Sequence, residues 1–450
     1  MAPHTRSFRE VPAEWSDWIK FLAAGLHSKT RWRLPVLLIG VLLGRGRRTV
    51  TAWLRAAGVK REWDKYYYFI GRLGCKAESM AERLTILVSK HLPLPQRVTL
   101  AVDDSPTPRY GPKVEGAGLH HNPTSGPDDH KFVYGHLWVV LTLVVRHPLW
   151  HAIGLPLRAL MYVKRKDMPS LVGRANWAFR TKLEMAAELI KWAWKILVIR
   201  MRREIWVVTD GAYAYRPLLK KILSLPGLTF VSRIRKDAAL RSLPQPPKPG
   251  ERGRKRIYGK EKISLAKRAA HPNGWFPVEA TMYGKTAVRM CKTFLATWAV
   301  VGGVIRVVIV QTPDGGWDAF FCTNPNASVR EILECYADRS AIEQVFHDIK
   351  ETWGAGQQQV RNVWANVGCF NLNLWMHTLV ELWAWHRPAC ELRDRRDAPW
   401  DNAQRRPSHA DRRKALRLAC FENEFRESVG KYKIGEEIKN LIDALAALAA

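Results

Sequence analysis

The sequence predicts an α/β protein with a helical region on each side of a central sheet, and three observations lead to this fold class. Residues 1 to about 95 place apolar side chains at helical spacing, with no strand pattern between them. After the LPLPQ segment at 92–96, the pattern changes to runs rich in β-branched and aromatic residues, which are typical of strands. From Ser328 onward helical spacing returns. We therefore expect helices, then a sheet, then helices.

Composition indicates a folded protein that binds a polyanion. The 450 residues are 47% apolar and include 20 Trp, so a large core must be buried, and the length favours two or three domains. The 72 Lys and Arg against 41 Asp and Glu give a net charge of +31. Nucleic acid is the favoured partner, because neutralising phosphates releases condensed counterions. A membrane is disfavoured, since the longest apolar run, at 34–44, is shorter than the roughly 20 residues of a span.

The first residues and the cysteines indicate a cytoplasmic protein. The N-terminal MAPHTRSFREVPAEW lacks the apolar region of a signal peptide, so we expect no export. The seven Cys are scattered without a CxxC pair. This spacing predicts neither a disulfide framework nor a structural zinc site.

The central region has a strand and helix order that narrows the fold. Strands are predicted at 97–103, 131–145 and 149–163, followed by a long helix at 174–199 and a buried strand that ends on Asp210. Three strands, a helix and a strand ending in an acid are the order of an α/β ribonuclease H-like core. Other α/β sheets alternate in the same way, so the order alone leaves both open.

These patterns divide the chain into four parts. Residues 1–95 form a helical DNA-binding domain, 96–236 and 328–386 the α/β core, 237–327 an inserted β-rich subdomain, and 387–450 a helical C-terminal region. Within the first part, GRGRRTVTAWLRAAGVK at 44–60 has a turn, a capping Thr and a short basic helix. This pattern suits a helix-turn-helix element on DNA, although a short basic helix can also be a solvated face.

The segment YADRSAIEQVFHDIK carries the strongest single pattern. Tyr336, Arg339, Glu343 and Lys350 follow one another at intervals of 3, 4 and 7 residues, which on an α-helix places them within an arc of roughly 60°. Arg339 and Glu343 could be an ordinary surface ion pair. Two further acids favour a functional site instead, because RVTLAVDDS and WVVTDGA each place Asp at the end of an apolar strand, where carboxylates are otherwise rare.

Three carboxylates from two strands and a helix can bind two Mg²⁺ or Mn²⁺ ions about 4 Å apart. In such a site one ion activates water or a DNA 3′-hydroxyl, and the other stabilises the leaving oxygen. Zinc would require His or Cys ligands. The nearest candidates, His120, His121 and His130, lie in a Gly- and Pro-rich loop without helical ligand spacing.

The helical pattern resembles, interval for interval, the Tyr-(2)-Arg-(3)-Glu-(6)-Lys signature of the DDE transposases of bacterial insertion sequences. The resemblance covers about 95–360, and DDSPTPRYGPKVEGAGLHHNPT and WGAGQQQVRN are also similar to one branch of that family. It implies that Asp103 or Asp104, Asp210 and Glu343 bind the metal ions. The family's Asp-x-Ser/Thr pattern favours Asp103, and Asp104 points to the opposite face of a strand.

The resemblance also implies DNA contacts and a reaction. Tyr336, Arg339 and Lys350 would hold phosphates near the scissile bond, and Trp317 is a candidate to stack on a flipped base, although a Trp in the core is the alternative. The implied protein is a cut-and-paste transposase that acts, as a homodimer, on its terminal inverted repeats and on target DNA in the bacterial nucleoid. A nuclease that does not join strands and a catalytically inactive DNA-binding derivative are the alternatives.

Overall fold

The computed structural model describes residues 11–122, 130–171, 177–246, 253–394, 399–402, 404–429 and 445. Within these ranges the N-terminal region is helical, with helices α1 (Ala13–Ala23), α2 (Arg33–Leu43), α3 (Val50–Ala56), α4 (Trp63–Cys75) and α5 (Ala77–His91). The apolar run at 34–44 is helix α2, and its side chains are buried in the core. No helix in the described ranges is long and apolar enough to cross a membrane.

The core sheet is mixed and places β1 at its centre. Its strands are β1 (Arg97–Pro108), β2 (Gly118–His121), β3 (Phe132–His147), β4 (His151–Tyr162), β5 (Glu204–Thr209) and β6 (Leu228–Arg233). Strand β1 pairs antiparallel with β3 and parallel with β5, and β6 continues parallel to β5. Helices α6 (Lys182–Trp194) and α7 (Arg216–Ile222) connect the parallel strands. A crossover helix of this kind is what a parallel pair requires.

The helix predicted at 174–199 begins later than expected, whereas its helical course continues to Arg200. Helix α6 begins after Thr181, whose side chain accepts from the backbone N–H of Glu184 while the Glu184 carboxylate accepts from Thr181. This capping box fixes the start of the helix. From Lys195 to Arg200 the backbone forms a π-helical turn.

The region predicted as an inserted subdomain extends the same sheet. It contains β7 (Leu240–Arg241), β8 (Lys262–Ile263), α8 (Leu265–Ala270), β9 (Phe276–Met282), β10 (Lys285–Trp298), β11 (Gly303–Gln311) and β12 (Trp317–Cys322). Strand β12 pairs with β6, so the sheet runs β2-β3-β1-β5-β6-β12-β11-β10-β7-β8, with β4 on β3 and β9 on β10. Within this region, residues 277–300 contain the hairpin of β9 and β10, which turns at Tyr283 and Gly284, both with positive φ.

The C-terminal half is helical, with α9 (Val329–Asp338), α10 (Ser340–Glu351), α11 (Val363–Ala384), α12 (Ala389–Leu392) and α13 (His409–Val429). Helix α11 is buried along its length except at Trp364, and it packs against β4 and the N-terminal helix α4. The N-terminal helices and the sheet thus share one hydrophobic core. The helix predicted for the Ala-rich tail lies outside the described residues, Leu445 excepted.

Candidate active site

Asp103 and Asp210 lie side by side on two parallel strands. The parallel pairing of β1 with β5 ends at Val102 and Thr209, and each acid is the next residue of its strand. Asp103 was expected to end its strand, but β1 continues to Pro108 because β3 still pairs with it there. The apolar run before Asp103 ends where the parallel pairing of β1 with β5 ends, whereas β1 itself continues.

The electrostatics of Asp103 reflect burial among other acids. Burial raises the pKa of Asp103 to about 7, and the negative charges of Asp104 and Asp210 act in the same direction. A backbone hydrogen bond from Asp104 N–H and the charge of Arg339 oppose the rise. Carboxylates that repel one another in a partly buried setting favour a bound cation.

Asp104 faces a different set of partners from those of Asp103. Its carboxylate accepts a hydrogen bond from Tyr213 Oη at 2.6 Å, and Lys182 Nζ lies 3.1 Å away. Asp103 instead reaches Arg339, with 3.1 Å between Oδ2 and Nη1. Successive strand residues point to opposite faces, so only one of the two acids can face α10. Lys182 and Tyr213 were not predicted from the sequence, where the position of Tyr213 three residues after Asp210 was the available signal.

Glu343 joins the site through Arg339. Arg339 Nη2 lies 2.6 Å from Glu343 Oε1, so one guanidinium bridges Asp103 and Glu343. Glu343 lies in the first turn of α10. The helix breaks at Arg339, between Asp338 and Ser340, so the predicted single helix is two helices. The pair is both the predicted i, i+4 ion pair and part of a larger carboxylate cluster.

The other predicted DNA contacts differ in their distance from this cluster. Tyr336 is buried, with its ring 4.5 Å from that of Phe320, and the pKa of Tyr336 is raised by burial and also by Asp210. Lys350, within the described residues, forms no ion pair with the three acids; burial lowers its pKa, and Glu351 is the charge that opposes this. Trp317 is half-buried at the start of β12, and the ammonium of Lys236 lies 4.6 Å above its ring.

A second polar group includes Asp348, five residues after Glu343 on α10, and was not predicted from the sequence. Ligand atoms of Asp348, His377 and His409 lie within 4.8 Å of one another. The two imidazoles are stacked, with centroids 3.9 Å apart and planes at 12°, so their in-plane lone pairs do not converge on one ion. Both ring nitrogens of His409 are also hydrogen-bonded, to Trp353 and Glu381. This group is a buried hydrogen-bonded network that joins α10, α11 and α13.

By ligand type, Asp103, Asp210 and Glu343 suit a divalent cation better than this network does, although their oxygens do not form a group as close as that of Asp348, His377 and His409. Asp103, Asp210 and Glu343 offer oxygen ligands only, as Mg²⁺ and Mn²⁺ prefer. Arg339 already places a positive charge between two of them. The histidines considered for zinc do not form such a group: His120 is buried and the neighbouring His121 is exposed, on opposite faces of β2.

The chain belongs to the DDE superfamily endonuclease family, whose model matches residues 21–293. The matched range includes Asp103 and Asp210 and ends before Glu343. The solved structures that match include the piggyBac transposase synaptic complex with hairpin DNA, at 8% identity over 98% of this chain and 78% of that chain. The TM-score is 0.34, too low to support an argument from shared structure. No curated protein matches the chain.

Proposed function

We propose that this protein is a cut-and-paste DNA transposase that hydrolyses DNA at the ends of a mobile element and joins the 3′ ends to target DNA. The observation that supports the proposal is the Arg339 guanidinium, which joins Asp103 to Glu343, together with Asp210, which follows the strand paired with β1 and raises the pKa of Asp103. Membership of the DDE endonuclease family supports the hydrolytic step. The net charge of +31 suits a DNA substrate.

In this proposal the three acids hold two Mg²⁺ or Mn²⁺ ions. Ions so bound would activate the attacking hydroxyl and stabilise the leaving oxygen. Arg339 orients Asp103 and Glu343 before metal binds, and its guanidinium is then placed to contact a phosphate. Asp104 is held by Tyr213 and Lys182 and serves as a positioning residue, so Asp103 is the first ligand.

The remaining DNA contacts are assigned by position and exposure. Lys236 and Trp317 lie together at the start of β12, where a cation and an aromatic ring suit a phosphate and a base. Tyr336 packs against Phe320 beneath the site. Lys350 contacts DNA in the last turn of α10. The N-terminal helices bind the terminal inverted repeats, with exposed Arg45, Arg47 and Arg55 around α3. Two protomers act on paired ends.

The decisive experiment incubates purified protein and Mg²⁺ with a duplex made from the DNA that flanks the coding sequence, together with a target plasmid. Wild type is expected to cut the ends and to join them to the plasmid. Glu343→Gln and Asp210→Asn are expected to bind the duplex but to give no product. Glu351→Gln, an exposed acid at the end of the same helix, is the matched control and should retain activity.

The outcomes separate the alternatives. Cut ends without joined product would identify a nuclease that lacks strand transfer, which the family description as endonuclease also fits. Binding without cleavage by wild type would identify an inactive DNA-binding derivative. Cleavage by Glu343→Gln at the wild-type rate would disprove the proposed site.

A further inference from the structure

The segment 353–358, with sequence WGAGQQ, connects the N-terminal helices to the catalytic strand. Gln357 Oε1 accepts a hydrogen bond from the backbone N–H of Arg48 at 2.8 Å. Gln358 Nε2 donates to the backbone carbonyl of Arg48 at 3.2 Å. Two adjacent side-chain amides therefore hold both backbone polar groups of one residue, which resembles the pairing of a strand edge.

Arg48 stands directly before the basic helix α3. The next residue, Thr49, is the N-cap of α3, and its hydroxyl accepts from Ala52 N–H at 3.0 Å. A residue fixed one position before an N-cap fixes where the helix begins and the direction in which it runs. The two hydrogen bonds to the backbone of Arg48 therefore determine where α3 lies.

The other side of the segment is fixed to the end of β1. Arg109, directly after β1, donates to the carbonyl oxygens of Gly356 at 2.8 Å and Gln358 at 2.5 Å. A Cβ on Gly356 would lie 3.2 Å from the carbonyl oxygen of Pro108, so the backbones are in close contact. Asp103 lies five residues before Pro108 on β1, about 16 Å from it at the usual rise of a strand.

The contact with Arg48 also requires the glycine at position 354. Gly354 has a φ of +64°, and a Cβ there would lie 2.5 Å from Arg48 Cγ and 2.6 Å from Arg48 Cβ. A side chain at this position would collide with the Arg48 side chain, and an L residue is strained at this φ. Gly354 and Gly356 thus allow the segment to touch Arg48 on one side and β1 on the other.

We propose that the WGAGQQ segment is a spacer that fixes the distance between α3 and Asp103 and so determines the nucleotide at which the DNA end is cut. Gln357, Gln358 and Gly354 are its positioning residues. The inference rests on the proposed transposase function, because it requires α3 to bind the DNA end that the three acids cut. A single base pair is about 3.4 Å along DNA, so a small displacement of α3 changes the bond presented to Asp103.

The test compares cut position with nonspecific nicking. Gln357→Ala removes the acceptor of Arg48 N–H, and Gly354→Ala forces Arg48 away. Both variants are expected to cut the end duplex at several neighbouring nucleotides and to lose about tenfold or more in yield, because misplacing a reacting group by about 1 Å can cost on the order of 100-fold. Their Mn²⁺-dependent nicking of a supercoiled plasmid should equal that of wild type, since nicking does not require α3 to be in register.

Two further variants control for a merely structural effect. Gln359→Ala changes the exposed glutamine that follows, which forms no such contact, and should cut like wild type. Gln357→Glu keeps an acceptor oxygen and should restore the single cut position. If Gln357→Ala and Gly354→Ala both cut at the wild-type nucleotide with the yield of Gln359→Ala, the inference is wrong.

A measurement without catalysis separates this inference from the proposed function. Hydrogen exchange of the Arg48 amide in DNA-free protein should be slow in wild type and Gln359→Ala and fast in Gln357→Ala. If wild type neither nicks nor cuts DNA, the proposed function fails while this exchange still reports the contact. Equal exchange in all three proteins would overturn the inference itself.

Discussion

Arg339 Nη1 lies 3.1 Å from Asp103 Oδ2, and this ion pair connects α10 to the central strand of the sheet. The same guanidinium lies 2.6 Å from Glu343, so a single cation holds two acids that would otherwise repel each other. The side chains of Arg339 and Asp103 are 16% and 21% exposed, and water therefore screens their attraction only in part. Arg339 therefore occupies carboxylate oxygens that the proposed metal site would offer to a divalent ion.

Removing Arg339 should make the fold dependent on metal. Arg339→Ala is expected to lower the free energy of unfolding by about 1–3 kcal/mol in EDTA, because the partly buried Asp103 loses its counter-charge. In the proposed site Mg²⁺ should recover most of that loss in the variant and should stabilise wild type less, because there the ion must displace Arg339 from the same carboxylates. Urea unfolding with and without Mg²⁺ measures both effects.

Arg330→Ala is the control for this prediction. Arg330 pairs with Glu334 on α9, but its side chain is 57% exposed, so the pair should contribute less than about 1 kcal/mol. Arg330→Ala keeps Arg339 and should gain from Mg²⁺ only as much as wild type does. If Mg²⁺ stabilises neither variant, the three acids do not form the metal site.

Asp103 and Asp104 should respond differently to neutralisation. Asp103→Asn is expected to reduce Mg²⁺-dependent end cleavage by roughly 100-fold or more, because it removes a metal ligand. Asp104→Asn keeps an oxygen that accepts from Tyr213 Oη and loses only the charge facing Lys182, so the expected loss is about tenfold or less. Cleavage rates of the two variants at saturating Mg²⁺ decide between them. Equal losses would make both acids ligands.

The sequence was informative where a pattern is local. The interval pattern from Tyr336 to Lys350 and the acid after each apolar run identified residues that the structure places on β1, directly after β5, and on α9 and α10 or between them. The local patterns did not predict which strands pair or where a strand turns back. Strand β1 continues past Asp103 because β3 pairs with it, and the 277–300 run folds back at Tyr283 and Gly284.

Contacts between distant segments explain the rest of what the sequence left open. The helical signature gave no sign that Lys350 would be partly buried, with Glu351 as the charge that acts on it, since that depends on how α10 packs. The buried network of Asp348, His377 and His409 draws on three helices that are far apart in the chain. The join of β12 to β6 likewise depends on residues about 90 positions apart, such as Phe320 and Arg233.

The buried imidazole of His409 should make stability depend on pH. Burial lowers the pKa of His409 to about 4, and the charge of His377 acts in the same direction against Glu381 and Asp348. Arg412, which pairs with Glu381, is the further charge in this network. Because the unfolded chain then binds the proton more readily, the free energy of unfolding falls as the pH drops from about 6.5 to about 4, by up to roughly 3 kcal/mol.

His409→Gln tests this dependence. Glutamine keeps a donor for Glu381 but does not titrate, so the variant should be less stable at pH 7 and its stability should fall less steeply between about pH 6.5 and 4. Unfolding free energies across that window give the two slopes. Parallel curves for wild type and variant would show that another group carries the pH dependence.

The crossing of α4 and α11 should tolerate no side chain at Gly74. A Cβ there would lie 1.9 Å from the carbonyl oxygen of Trp364, so Gly74→Ala must separate the N-terminal helices from α11. We expect a loss of about 1–3 kcal/mol in the free energy of unfolding, as for other overpacked sites.

Gly71→Ala, one turn earlier on α4, is the matched control: its Cβ would lie 4.0 Å from Ala365 N, an ordinary contact. Since alanine favours the helix by about 0.5–1 kcal/mol over glycine, Gly71→Ala should be neutral or stabilising in thermal unfolding. Equal melting temperatures for the two variants would mean that α4 and α11 do not cross in the close contact described.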